Sequence, residues 1–436
     1  MFTYLRQIFH SKDLRNKILF TLGILVIARI LAHITVPGIN LDALRAVTAA
    51  KSGSNELLGM LSMLTGGSTK SFSIILMGIS PYINASIIIQ LLTVVIPKLD
   101  DLSKEGDAGR RKINSITRWL TLPLAFLQSY GMIALLNSQM HVDLISNMTS
   151  IKVMLPIMLT ITAGTVLLVW LGELITEKGI GNGISLIIFA NIIAQIPSSI
   201  MGSLYGIGDD SSKLIPFASM VILMIILITI VILVNEGQRR IPVTYAGRGV
   251  KAKSAQSFLP IRINQAGMIP IIFAVAMVSF PGILGQFLSR ANSPWLVNIG
   301  EKMTTVFTPG SLAYMIMYFL FVMGFTYFYV SITFKPQEVG ESIQKRGGYI
   351  PGIRPGKQTT DYIAKTSNRL TLFGAVFLGF IAILPIILKI IFQNAGYGNI
   401  QMLISGAGII IIVGVVLELI RQINSLLVMH DYKKFY

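Results

Sequence analysis

Ten separate apolar runs, each near the length of a bilayer-spanning helix, limit what this chain can fold into more than any other feature. They cover roughly Ile18–Val36, Phe72–Ile96, Trp119–Leu136, Val153–Leu171, Ile184–Ser199, Leu214–Val234, Ala266–Leu288, Ser311–Phe334, Leu370–Leu388 and Met402–Leu419. About 20 consecutive apolar residues carry a helix across the hydrocarbon core. The expected fold class is therefore an all-α polytopic membrane protein with ten transmembrane helices. Composition agrees: 53% of the 436 residues are hydrophobic and 13% charged, against about 25% charged in a soluble domain. There is no cysteine, which excludes disulfides and thiolate metal ligands. The histidines (His10, His33, His141, His430) are scattered, with no pair at ligand spacing. The basic stretch Met1–Lys17 precedes a run without a small-residue cleavage site, so no removable signal peptide is expected.

The net charge of +17 is unevenly spread. Of 36 Lys and Arg, 27 fall in the N-tail, the C-tail and every second connection. Positive charge marks the cytoplasmic side. Both termini and the basic loops are thus expected to be cytoplasmic.

The second run is unlike a helix that merely faces lipid. It carries Gly78 and Pro81 near its start, then Asn84, Ser86 and Gln90 inside it. At helical steps of four, three and four, Ile79, Ile83, Ser86 and Gln90 share one face. That face is apolar at one end and polar at the other, as a helix lining a path through the membrane would be. Small and polar residues also let membrane helices pack closely, which is the alternative reading. The seventh run repeats the entry: Gly78-Ile79-Ser80-Pro81 is matched by Gly267-Met268-Ile269-Pro270 five runs later. Gly/Pro-interrupted segments at matching places in inverted halves point to a pathway between them. By the same steps Gln265, Met268 and Ile272 share a face in the seventh run.

Two basic loops look structured. In the first, Gln238–Tyr245, the alternation of Ile241, Val243 and Tyr245 predicts a short hairpin. The second holds Pro351-Gly352-Ile353-Arg354-Pro355-Gly356, a turn with an arginine at its tip. Structured loops are frequent binding elements; attraction to anionic lipid is the simpler account of their charge. A short apolar piece, Leu57–Gly67, cannot span. It is either a re-entrant segment lining a cavity or an interfacial helix.

Chemistry-bearing motifs are missing. Gly352–Lys357 falls one residue short of a phosphate-binding P-loop, with Gln358 in place of Ser or Thr. Gly179-Ile180-Gly181-Asn182-Gly183 follows no strand, so it reads as a flexible loop rather than a dinucleotide site. Glu173, Glu177, Glu236 and Glu418 lie at helix ends, leaving mid-membrane nearly free of ionisable groups. That disfavours a secondary transporter for a small solute. No nucleophile–base constellation favours an intramembrane enzyme. The chain is therefore expected to do no covalent chemistry, to hold no cofactor and to burn no fuel itself.

The blocks Gly78–Leu92, Gly106–Lys112, Trp170–Asn191, Gln238–Tyr245, Leu259–Ala274, Gly347–Gly356 and Arg369–Gly374 resemble, in this order, the SecY/Sec61-alpha family of protein-export channels. The resemblance implies a clam shell of two inverted five-helix halves, residues 1–200 and 201–436, with cytoplasmic loops at about 235–264 and 335–369 in the second. It implies a pore ring of Ile79, Ile83, Ile188, Ile272 and Ile411. It implies a plug from Leu57, Leu58, Met60, Leu61, Met63 and Leu64. A lateral gate between the second and seventh spans would involve Asn84, Gln90, Gln128, Asn264, Gln265 and Phe280. Ribosome and SecA would be met by Arg239, Arg240, Arg248, Lys345, Arg346, Arg354 and Lys357. The implied partners are SecE, SecG, SecA, the translating ribosome, signal sequences with nascent polypeptides, and anionic lipids. The implied site is the bacterial cytoplasmic membrane. Two departures stand out: Ile404-Ser405-Gly406 where the family has Phe-Gly-Gly, and Gly247 in place of a lysine before Arg248.

Overall fold

The computed structural model describes residues 11–39, 67–68, 71–139, 150–207, 214–245, 257–289, 293–308, 310–394 and 404–433. In chain order the elements are α1 (Lys12–Leu31), α2 (Ser80–Val95), α3 (Pro97–Lys104), α4 (Asp107–Gln139), α5 (Ile151–Lys178), α6 (Gly183–Ile207) and α7 (Leu214–Glu236). Then come β1 (Gln238–Tyr245), β2 (Ser257–Arg262), α8 (Ile269–Leu288), α9 (Pro294–Val306), α10 (Leu312–Thr333), α11 (Pro336–Lys345), β3 (Gly348–Tyr349), α12 (Lys357–Asn394) and α13 (Gly406–Lys433). Each of the ten apolar runs lies largely in a helix. Among the described residues, six helices are long and apolar enough to cross a membrane unaided. The pair α2 and α3, bent by 102° at Ile96, makes a seventh if counted as one span.

The second run corrects the expectation of one continuous helix. Helix begins only at Ser80; residues 71–79 are turns. Phe72 has φ of +44° and Gly78 of +56°. This irregular backbone is paired: Val36 N–H donates to Phe72 O at 3.0 Å and Ile74 N–H to Ile34 O at 2.9 Å. Phe72, Leu76 and Met77 are buried against Met132, Ile133, Ile157 and Ile161 of α4 and α5. Non-helical backbone at membrane depth is tolerated when buried in protein, as here. Gly164 of α5 admits it, since a Cβ there would overlap the carbonyl of Ile74.

The loop at residues 179–183 is pinned rather than flexible. Asn182 Oδ1 accepts from the N–H groups of Ile184 and Ser185 at 3.1 and 3.2 Å, capping α6. Ile180 N–H donates to Thr21 Oγ1 at 3.1 Å, and Gly183 N–H to Thr176 Oγ1 at 2.8 Å.

The largest apolar core joins residues of α1, α5, α6, α7, α8, α10, α12 and α13. One side of the chain packs α2 on α4, α4 on α5, and α5 on α6. The other packs α10 on α12 and on α8. The two sides meet where α8 touches α2 and α4, and where α13 touches α6.

Candidate functional site

The meeting of α2, α6 and α8 encloses a small cavity of about 30 Å³, lined by Ile79, Ser80, Ile83, Ile188, Ile272 and Ala276. That is room enough to hold a water. Ile79 and Ile188 are each 3% exposed and Ile272 8%; Ser80 supplies the one polar side chain.

The local sequence places these groups by one device used twice. Gly78 (φ +56°) and Gly267 (φ +67°) take the left-handed conformation that glycine adopts without strain. Two and three residues on, a helix starts at Ser80-Pro81 and at Ile269-Pro270. Proline fits the first turn because those N–H groups lack intrahelical partners. Ile83 and Ile272 each stand five residues after their glycine, and both face the same cavity.

Of the expected ring, Ile79, Ile83, Ile188 and Ile272 come together around this cavity. Ile411 of α13 is fully buried in the same core, at 0% exposure, but does not line it. The six plug residues, Leu57, Leu58, Met60, Leu61, Met63 and Leu64, and also Arg248, lie outside the described residues.

The expected gate residues separate into two groups. On α2, Asn84 is half-buried and Gln90 Nε2 donates to Ser86 Oγ at 3.2 Å, one turn back. Gln128 of α4 is half-buried and Phe280 of α8 exposed. Gln265, however, precedes α8, so it does not continue the helical face of Ile272 as the spacing predicts. Its Oε1 accepts from Ser367 Oγ of α12 at 3.1 Å. Asn264 bridges the loop instead: Nδ2 donates to Asn235 Oδ1 at 2.7 Å, and Oδ1 accepts from Gly267 N–H at 3.0 Å. These two residues set the start of α8 against α7 and α12.

The sequence treats the two basic loops as separate; the structure joins them. β1 pairs antiparallel with β2 (Arg239 opposite Ile261, Ile241 opposite Leu259) and also with β3 (Thr244 opposite Tyr349). Ile241, Val243 and Ile261 bury one face against Ile343, Ile350 and Ile363. This is a separate small core beside the helices. Arg239 and Arg240 are exposed on β1; Lys345, Arg346 and Lys357 are exposed on α11, after it, and at the start of α12. Ile353 N–H donates to Ile350 O at 3.0 Å across Pro351 and Gly352, whose φ is +81°. That is a type II turn with proline and glycine at their preferred places. Thr359 Oγ1 donates to Arg354 O at 3.0 Å, fixing the backbone while the guanidinium stays exposed. Nearby, Arg421 pairs with Glu236 at 2.5 Å, tying α13 to α7. Burial, then the Arg421 charge, lowers the pKa of Arg262 at the end of β2.

A family model described as SecY matches residues 73–420. This chain belongs to the SecY family. The protein translocase subunit SecY of Streptomyces coelicolor is 39% identical over 449 residues, covering 100% of both chains. That of Mycobacterium tuberculosis is 39% identical over 439 residues, covering 97% of both. The fold is similar to a solved protein-conducting channel, with a TM-score of 0.64 at 20% identity over 94% of this chain and 91% of the other. It is also similar to Sec61 in a canine ribosome–channel complex of the endoplasmic reticulum, with a TM-score of 0.61 at 19% identity over 94% and 91%. As a SecY-family chain with several apolar helices, it is a multi-pass protein of the cytoplasmic membrane. The sequence reading missed α3, α9 and α11, because short amphipathic helices lack the long apolar signal of a span.

Proposed function

We propose that this chain is the channel subunit of a protein translocase, passing unfolded polypeptides through the membrane. One observation carries the reading: four isoleucines, from α2 and the turn before it, from α6 and from α8, close on a small cavity at the contact between the two sides of the molecule. A small-solute transporter needs polar ligands at its narrowest point, and only Ser80 offers one here. A branched apolar rim excludes water and holds no client tightly. The subunit is a passive, non-catalytic pore.

The finer reading follows the same geometry. Ten spans form two inverted halves, residues 1–200 and 201–436, with both termini cytoplasmic. The contact of α2 and α4 with α8 is the lateral exit for signal sequences and membrane-protein helices. The Leu57–Gly67 segment is the plug, and Ile411 backs the ring from α13. The three-stranded sheet with Arg239, Arg240, Arg248, Lys345, Arg346, Arg354 and Lys357 receives SecA or the ribosome; its exposed arginines suit rRNA phosphates. The related Sec61 sits in a complex with a ribosome, which supports that partner. SecE and SecG complete the assembly, and anionic lipids border the basic face.

The test is reconstitution of the chain with SecE in vesicles, adding SecA, ATP and a secretory polypeptide. The expected result is ATP-dependent protection of the polypeptide from external protease. Protection no greater than in vesicles lacking the chain refutes the channel reading.

A further inference from the structure

The helix α9 follows the end of α8 that points away from the three-stranded sheet. α8 has 20 residues, about 30 Å of rise and one hydrocarbon thickness. A helix that follows such a span is expected at headgroup depth on the leaflet opposite the sheet. Its seating on α8 is tight. A Cβ on Gly285 would meet Met303 Cβ at 2.8 Å and Gly300 O at 3.0 Å, and one on Gly300 would overlap the backbone of Ser289. Only two glycines let the backbones approach this closely, so the rotation of α9 about its axis is fixed.

That rotation divides the helix into three strips. Gly300 is buried against α8, and Phe307 at the C-cap packs on the main core. At about 100° per residue, Trp295, Ile299 and Val306 fall within about 40° of one another. Trp295 is 69% exposed and Val306 41%. Asn298, Glu301 and Thr305 are exposed on a third strip, and Lys302 stands at its border with the apolar one. A helix on a soluble surface needs two strips, one inward and one polar. The apolar strip, exposed at Trp295 and Val306 and half-exposed at Ile299, is in excess of these and requires a third medium.

We propose that α9 is an interfacial helix whose Trp295–Ile299–Val306 strip is a lipid-binding surface in the leaflet opposite the sheet. Tryptophan favours this depth because its ring is amphipathic. Lys302, beside the strip, reaches the phosphate layer as long cationic side chains do at helix ends. The exposed apolar side chains of α8, Met277, Phe280 and Leu284, continue the surface toward the bilayer core. The inference rests on the membrane placement of the chain and not on its transport activity.

The test uses the full chain in phosphatidylcholine–phosphatidylglycerol vesicles. Tryptophan occurs three times, so Trp119→Phe and Trp170→Phe leave Trp295 as the reporter. Bromines near the carbonyl end of the acyl chains should quench it at least twofold more than bromines near the methyl end. Ile299→Asp with Val306→Asp in that background should cut the quenching at least twofold. Quenching by aqueous iodide but not by bromolipid places the strip in water and overturns the proposal; quenching by neither places it against protein and does the same. A second readout keeps Trp119 and Trp170. The chain has no cysteine, so spin labels at Trp295→Cys and Asn298→Cys report single sites. The first should be more accessible to oxygen than to a polar nickel complex and the second the reverse; equal ratios at both sites overturn the proposal.

Discussion

An isoleucine at a narrow point does two things at once. Its apolar surface makes a single trapped water costly, and its branched Cβ holds one χ1 well and hence a defined rim. Around the 30 Å³ cavity this applies to Ile79, Ile83, Ile188 and Ile272 together. Ile83→Asn or Ile272→Asn introduces an amide that cannot be satisfied by its apolar neighbours. Burying such a group costs about 1–3 kcal/mol, which corresponds to about a 5–150-fold shift toward an open, wetted state. The expected outcome is raised resting ion conductance in planar bilayers. Conductance equal to the parent in both variants removes these residues from the pore. Helical spacing put Ile83 and Ile272 each on a face that is apolar at one end, and both line the cavity. Ile411 has no such mark; only the family resemblance put it in the ring, and its side chain lies in the core off the cavity. Gln265 was misplaced because periodicity assumes a helix that had not yet begun.

At the scale of elements, the long apolar runs announced their helices, and the alternation of Ile241, Val243 and Tyr245 announced β1. Two things were hidden. Apolar composition does not report backbone shape, so residues 71–79 read as helix, whereas the chain turns there with Phe72 and Gly78 at positive φ. And β1 pairs with β3 across about a hundred residues of chain, a non-local contact that no window of sequence contains. The pinned loop at residues 179–183 gives a sharp stability prediction. A Cβ on Gly183 would overlap the carbonyl of Gly172, and neither backbone can yield easily. Gly183→Ala should cost about 1–3 kcal/mol and lower the thermal midpoint of the detergent-solubilised protein. Gly324→Ala in α10, where nothing lies within 4 Å, should leave it unchanged or raise it. The sheet domain gives a functional one. Arg354 is exposed on a turn whose backbone is held without its guanidinium. Exposed substitutions change stability by only about 0.5 kcal/mol. Arg354→Glu should therefore leave insertion and thermal midpoint intact while lowering SecA-driven transport at least tenfold. Transport at the parental rate would reduce this loop to a charge that sets topology.

Across the whole molecule, two seams join the sides of the chain, and they differ in build. At one, α8 meets α2 and α4 over the cavity, through helix starts set by positive-φ glycines. At the other, α13 meets α6, where a Cβ on Gly408 would stand 3.5 Å from Ile192 Cγ2. If the sides part about one seam, the other acts as the hinge, and packed interfaces switch between discrete arrangements rather than stretching. The absence of native cysteine lets each seam be locked alone. Ser80→Cys with Ala276→Cys spans the first, since both residues line one cavity. Ile192→Cys with Gly408→Cys spans the second. A short reducible cross-linker across the first pair should abolish polypeptide transport in the locked fraction, and reductant should restore it. The same treatment of the second pair should leave at least half the transport, because a hinge held closed still turns. Transport that survives a complete lock at Ser80 and Ala276 would mean that α2 and α8 never part. Loss at the second pair alone would move the opening to α6 and α13, and the isoleucine cavity would then lie at the hinge rather than on the path.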